Sequence, residues 1–126
     1  MAGFFKRIDT VLLRVKNIKK ACRWYQEVLG LEAAYIGEDD HRIAVFKIGE
    51  GETPLTLYEL HSDEVMPARR FSTTYPILFA ENPETLYETL KNKGVEVEEL
   101  EDDGRVTYFG FRDPDGNRLE VCYWRS

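Results

Sequence analysis

Residues 30–48, GLEAAYIGEDDHRIAVFKI, and residues 94–112, GVEVEELEDDGRVTYFGFR, follow one plan. Each opens on a glycine, runs into a short strand-like segment, turns at a group of acids and resumes as a second strand. Glu38-Asp39-Asp40 in the first stretch is echoed by Glu101-Asp102-Asp103 in the second. The offset stays near 64 residues, the mark of a duplicated module.

The flanking segments extend the match. Before Gly30, the spacing of Ile18, Ala21, Cys22, Tyr25, Val28 and Leu29 predicts a helix over about 18–29, opened by Asn17 as N-cap and stopped by Gly30. Before Gly94, Leu86 and Leu90 predict a helix over about 83–93, with Asn82 as N-cap, Pro83 at the first helical position and Gly94 as stop. Strands are predicted near 6–15, 31–37, 42–48 and 54–61, and again near 75–80, 95–100, 105–111 and 118–124. Both halves therefore read β-α-β-β-β. In residues 111–124, FRDPDGNRLEVCYW, Pro114 and Gly116 make the turn. Leu119, Val121 and Tyr123 then alternate with Arg118, Glu120, Cys122 and Trp124.

The 126 residues suit a single domain, with 43% hydrophobic and 13% aromatic residues to build its core. Module one is expected over about 6–61, a linker over about 62–73 and module two over about 74–124. Neither a membrane span of about 18 apolar residues nor a signal-peptide core is visible, so a cytoplasmic location and no membrane partner are expected. Cys22 and Cys122 are too few for a disulfide framework and read as reduced, buried side chains. A formal charge of −6 opposes a phosphate backbone, so nucleic acid is not an expected partner.

A module of about 60 residues cannot cover both faces of its sheet alone. The helix is expected to cover Val11, Leu13 and Val15, leaving Thr10, Leu12 and Arg14 on the inner face of the first strand. On the fourth strand the inner set is either Leu55, Leu57, Glu59 and His61 or Thr56, Tyr58 and Leu60. Repeat symmetry with Glu120 selects the Glu59 set. Module two adds Tyr75, Ile77 and Phe79, with Arg118, Glu120, Cys122 and Trp124 from its last strand. Apolar and aromatic area with a few embedded polar groups is what a small-molecule pocket needs. The competing reading is a hollow filled by side chains, with the two glutamates at its rim paired to Arg14 or Arg118.

The duplication, the segment IDTVLLRVKNIKKACRWYQEVLGLE and the closing FRDPDGNRLEV resemble the vicinal oxygen chelate superfamily of glyoxalases, bleomycin-resistance proteins and extradiol dioxygenases. The resemblance implies an α+β fold of two tandem βαβββ modules, a curved mixed sheet around a cavity with helices on its outer face. It also implies a homodimer. Metal-using members carry a His on the first strand, a Glu ending the first module, a His opening the second and a Glu on the last strand. Carried over, these positions fall on Thr10, Glu59, Tyr75 and Glu120, so both carboxylates remain and both imidazoles are gone. A threonine hydroxyl is a weak ligand, and tyrosine ligates as phenolate against a reference pKa of about 10.

The leading expectation is thus no cofactor and a metal-free protein that binds or sequesters a small aromatic or cationic molecule. Its ligand-binding residues are Thr10, Leu12, Arg14, Leu57, Glu59, Tyr75, Ile77, Phe79, Arg118, Glu120, Cys122 and Trp124. The alternative is a lyase, isomerase or dioxygenase using Zn, Ni, Fe or Mn, with Glu59 and Glu120 as metal ligands or catalytic base. His61 is then a further candidate ligand, and His41 is expected to be exposed. A third reading is a regulatory or scaffold domain with no small ligand. Cys122 has no base or anion hole in the sequence that would make it a nucleophile. Arg69, Arg70 and Phe71, in the linker, are candidates for contact at a pocket mouth.

Overall fold

The computed structural model describes residues 3–38, 42–67 and 72–125. His41 and the linker candidates Arg69, Arg70 and Phe71 lie outside them. The chain divides into two compact units, Met1–Glu64 and Val65–Ser126. The first contains β1 (Val11–Val15), α1 (Ile18–Glu27), β2 (Ala33–Ile36), β3 (Ile43–Phe46) and β4 (Leu55–Glu59). The second contains β5 (Ile77–Phe79), α2 (Pro83–Asn92), β6 (Glu101–Asp102), β7 (Val106–Arg112) and β8 (Arg118–Trp124). The fold is α+β, with the expected βαβββ order in each unit. Each sheet is mixed and four-stranded, in the orders β1-β4-β3-β2 and β5-β8-β7-β6. Only the first strand runs parallel to its neighbour, because the helix carries the chain over the sheet before β2 or β6 begins. Among the described residues no helix is long and apolar enough to cross a membrane.

The helices start and stop where their end residues dictate. Asn17 Oδ1 accepts the Lys20 N–H at 2.9 Å, and Asn82 Oδ1 accepts that of Thr85 at 3.3 Å. Gly30, at φ 68°, lets Leu31 donate back to the Tyr25 carbonyl, so α1 ends two residues before the predicted limit. Glu59 also anchors α1. Its Oε1 accepts the Ile18 N–H at 2.9 Å, at the positive end of the helix dipole, while Oε2 lies 3.1 Å from Arg42 Nη1.

The outermost ladder departs from the predicted strand over 95–100. Glu98 donates to Gly110 and Arg112 to Glu96, with an isolated Val97–Phe111 bridge, and regular pairing resumes only at Glu101–Asp102. The first unit breaks its ladder at the same place, with a register shift between Ala33 and Tyr35. The N-terminal strand is also shorter than predicted. Among the described residues none before Val11 belongs to a strand, and the Ile8 carbonyl accepts the Thr53 hydroxyl at 3.0 Å.

Each unit builds its core between helix and sheet. Val15, Ala44, Phe46, Leu55 and Leu57 are fully buried beside Tyr25, which stacks on Phe46. In the second unit Phe109, Phe111, Leu119 and Val121 are buried with Leu90, and Tyr87 meets Phe109 edge-on. Leu57 and Glu59 are therefore on the helix side, a correction to the inner-face set selected by symmetry. Register explains it: Leu13 pairs with Leu57 and Val15 with Glu59, and paired residues share a face.

Two polar devices hold the chain at the ends of the last strands. The DPDGN turn is organised by buried Asp113, whose Oδ1 accepts the N–H groups of Asp115 and Asn117, both at 2.9 Å. Its Oδ2 accepts the Asn117 side-chain amide at 2.9 Å. Beyond β4, Arg14 donates to Glu64 from Nη1 and Nη2, at 3.1 and 2.6 Å. The Arg14 guanidinium first, and the His61 backbone N–H second, hold the Glu64 carboxyl down at about 2.

Replacing Asp113 with Ala strands the donors of Asp115 and Asn117, and is expected to cost about 1–3 kcal/mol in urea unfolding. A loss below measurement error would show that water replaces the carboxylate. Because Glu64 has a lowered pKa, its pairing contributes stability above the ordinary carboxylate range, and that contribution is lost as pH falls towards about 2. Wild type is therefore expected to exceed a Glu64→Gln variant in stability at neutral pH, and the two should converge in acid. Parallel stability curves across that range would contradict the pairing.

Candidate functional site

In each sheet the helix covers one face and leaves the other open on its own side, although Thr56 on that second face is itself buried. In the first unit the open face carries Thr10, Leu12 and Arg14, joined through register by Thr56, which pairs with Leu12, and Tyr58, which pairs with Arg14. Thr10 Oγ1 donates to the Pro54 carbonyl at 3.0 Å and lies 2.7 Å from Thr56 Oγ1. Arg14 lies 4.8 Å from the Tyr58 ring centroid and donates to the Tyr58 and Glu59 carbonyls, both at 3.2 Å. Tyr58 Oη meets His61 Nε2 at 3.1 Å. His61 lies beyond β4, with its side chain on Tyr58 and its N–H on Glu64, and does not join Glu59.

Counting positions shows how the repeat relates the two units. Leu12 and Ile77 each lie six residues before the first helical residue, Ile18 or Pro83. Leu12 pairs with Thr56, and Ile77 pairs with Glu120. A second match agrees: Phe46 faces Leu55 as Phe111 faces Leu119, and the next residues are Thr56 and Glu120. The counterpart of Glu120 is therefore Thr56, three positions before Glu59. Matching one glutamate letter to another concealed this. Counting onward from the buried leucine after each turn recovers it.

In the second unit Ile77, Phe79, Glu120 and Cys122 share the open face with Tyr108 and Gly110 of β7. Ile77, Phe79 and Trp124 are each more than half exposed. Arg118 organises the polar part. Its Nε donates to Glu98 Oε2 at 2.9 Å, and Nη2 donates to Glu98 Oε1 at 2.7 Å and to Glu120 Oε2 at 3.1 Å. The guanidinium carbon sits 4.4 Å from the Tyr75 ring centroid. Gly110 leaves room for this assembly, since a Cβ there would lie 2.5 Å from Arg118 Nη2 and 2.6 Å from Glu98 Oε1. Glu98 was not anticipated as a site residue, but a glycine inside the aromatic strand YFGFR signals a close approach. Burial, and then the charge of Glu120, push the Cys122 thiol up, which makes it a poor nucleophile at neutral pH.

The donor set does not match the imidazoles and carboxylates that the resemblance assigns to a metal. The first unit offers two threonine hydroxyls bonded to each other. The second offers a tyrosine ring under a guanidinium and a carboxylate already paired with it. Among the described residues no group of three or more His, Cys, Asp or Glu side chains could hold an ion.

Comparison with known proteins agrees with this architecture. The chain is 27% identical over 128 aligned residues to biphenyl-2,3-diol 1,2-dioxygenase 3 of Rhodococcus globerulus, a match that takes in 91% of the chain and 62% of that enzyme. The chain thus spans less than two thirds of the relative's length. Among solved structures, TnmS3, an antibiotic binding protein from Streptomyces sp. CB03234, superposes with a TM-score of 0.79 at 19% identity, covering 98% of this chain and all of its own. A glyoxalase family protein from Enterococcus faecalis superposes with a TM-score of 0.73 at 24% identity, covering 95% of this chain and 99% of its own. These structural likenesses establish the fold. A family model matches residues 7–121, nearly the whole of both modules, and by it the chain belongs to the Glyoxalase/Bleomycin resistance protein/Dioxygenase superfamily.

Proposed function

We propose that this protein binds a small organic molecule without a resident metal, on an open sheet face where exposed apolar and aromatic side chains supply the contact area. The observation that carries the reading is the Thr10–Thr56 hydroxyl pair at 2.7 Å. Two hydroxyls that satisfy each other make a poor ligand set for a divalent ion, which favours imidazole or carboxylate donors. Ile77, Phe79 and Trp124 offer apolar surface of the kind that anchors flat ligands. The same fold serves an antibiotic binding protein, so a binding role without chemistry is within its range. The dioxygenase relative motivates the second reading, a metal-dependent enzyme, in which Glu120 is the one carboxylate left at a ligand position.

The two readings separate on metal content and ligand response. Protein purified without chelator is expected to contain well under one equivalent of transition metal, and to gain thermal stability with some members of an aromatic compound library. Saturation at a hundred times Kd corresponds to roughly 2.7 kcal/mol of stabilisation. Glu59→Gln should leave that binding unchanged, since its carboxylate serves α1. A stoichiometric ion that is lost in Glu120→Gln would overturn the metal-free reading in favour of the enzyme. A homodimer belongs to the same proposal: light scattering is expected to give the mass of two chains, and a concentration-independent monomer would remove it.

A further inference from the structure

Resting on the binding reading above, we infer that the second unit's open face takes an aromatic cation, its ring on Phe79 and Trp124 and its positive group held by Glu101 rather than by Glu120. Register shows what this face carries. Glu101 stands opposite Tyr108, Tyr108 opposite Cys122 and Cys122 opposite Phe79, so these side chains form one row across the sheet. The next row is Glu98, Gly110, Glu120 and Ile77, and beyond it Glu96 stands opposite Arg112, which pairs with Arg118. Glu96, Glu98, Glu101 and Glu120 thus share the face with Arg112 and Arg118, four negative charges against two positive. The neighbouring acids are engaged elsewhere. Asp102 pairs with Arg125 beside buried Thr107, and Asp103 accepts the Arg105 and Val106 N–H groups at the turn.

The four carboxylates are not equivalent. Arg118 holds Glu98 through two donors and Glu120 through a third, and the side chains of Arg118 and Glu120 are only 16% and 13% exposed. A cation that drew Glu120 away would leave a mostly buried guanidinium short of a partner. It would also meet that like charge 3.1 Å from the carboxylate it seeks. Arg112 repels a cation from Glu96 opposite it and from Glu98, 4.0 Å away. Glu101 is different. It is exposed on the edge strand β6, and among the described residues no hydrogen bond or ion pair holds its carboxylate.

A lone surface carboxylate attracts a cation only weakly, because water screens it. Glu101 has aromatic surface beside it. Tyr108, directly opposite, is half-buried, and its ring is a second attractor for a cation seated between the two. Phe79 and Trp124, each 59% exposed, carry the apolar area for a ring system. The Trp124 indole donates to the Cys122 thiol, which keeps it over the same row. A ring lying there displaces water from beside Glu101 and so strengthens its pull on the attached charge. An aromatic cation satisfies both ends of the row, whereas an aromatic anion meets the excess negative charge.

Naphthylmethylammonium, naphthylmethanol and naphthoate share a ring system and differ in charge. Isothermal titration of wild type is expected to rank the ammonium first, by about tenfold over the alcohol, with naphthoate weakest. In about 1 M salt the gap between ammonium and alcohol should shrink severalfold. Glu101→Gln should weaken the ammonium by about tenfold and leave the alcohol unchanged. Glu88→Gln makes the same charge change on an exposed position of α2 and should keep the wild-type ranking. Phe79→Ala should weaken all three members together, and circular dichroism verifies the fold of each variant. Equal binding of ammonium and alcohol by wild type, a preference that survives Glu101→Gln, or an equal loss in Glu88→Gln overturns this inference and leaves the binding reading standing. Unchanged binding in Phe79→Ala overturns the seat of the ring. No binding of any member by folded wild type overturns both readings for this face.

Discussion

The parallel pairing of the first strand with the last, within each unit, decides which side chains meet the helix and which are left open. A helix joins the first strand to the far side of the sheet, so the first strand must lie beside the last one and run with it. Once Leu12 is opposite Thr56 and Ile77 opposite Glu120, the alternation of the strands assigns every other position. A slip of one residue would turn Thr56 and Tyr58 towards α1 and carry Leu55 and Leu57 away from it. Burying those leucines is worth roughly 1.5–3 kcal/mol each, which is why the register holds.

That constraint also explains what the sequence did and did not reveal. Helices were legible because their end residues act locally: Asn17, Asn82 and Pro83 at the starts, Gly30 and Gly94 at the stops. The duplication and the α+β class were legible from the two matching stretches. In the second unit the open-face residues were also legible, because the clear alternation after the DPDGN turn fixes their parity. In the first unit the fourth strand, LTLYELH, has apolar or aromatic residues on both faces, so its pattern left two parities open. The choice then leaned on Glu59 resembling Glu120. What distinguishes them is tertiary: one carboxylate reaches a helix N-terminus, the other a guanidinium across the sheet.

The Glu98–Arg118 pair was beyond reach for a different reason. Its partners are 20 residues apart and come together only because the chain near Glu98 runs beside β7 and β8 follows on the other side. Gly110 in the intervening strand is the local trace of that meeting. A longer side chain there would push the ion pair off the sheet, so one small residue reports a contact between two large ones on neighbouring segments.

The positions where the superfamily's metal-using members place their ligands are satisfied within their own units. An ion site depends on donors that lack adequate partners until the ion arrives, since that deficit helps to offset the ion's own dehydration. Here Thr10 and Thr56 bond each other, and Arg118 covers both Tyr75 and Glu120. Further carboxylates stand on the second unit's open face, Glu96 opposite Arg112 and Glu101 opposite Tyr108, so this surface is acidic as well as apolar. Its other resource is apolar area, at roughly 25 cal/mol for each Å² removed from water, and the half-exposed side chains of Ile77, Phe79 and Trp124 are where that area lies.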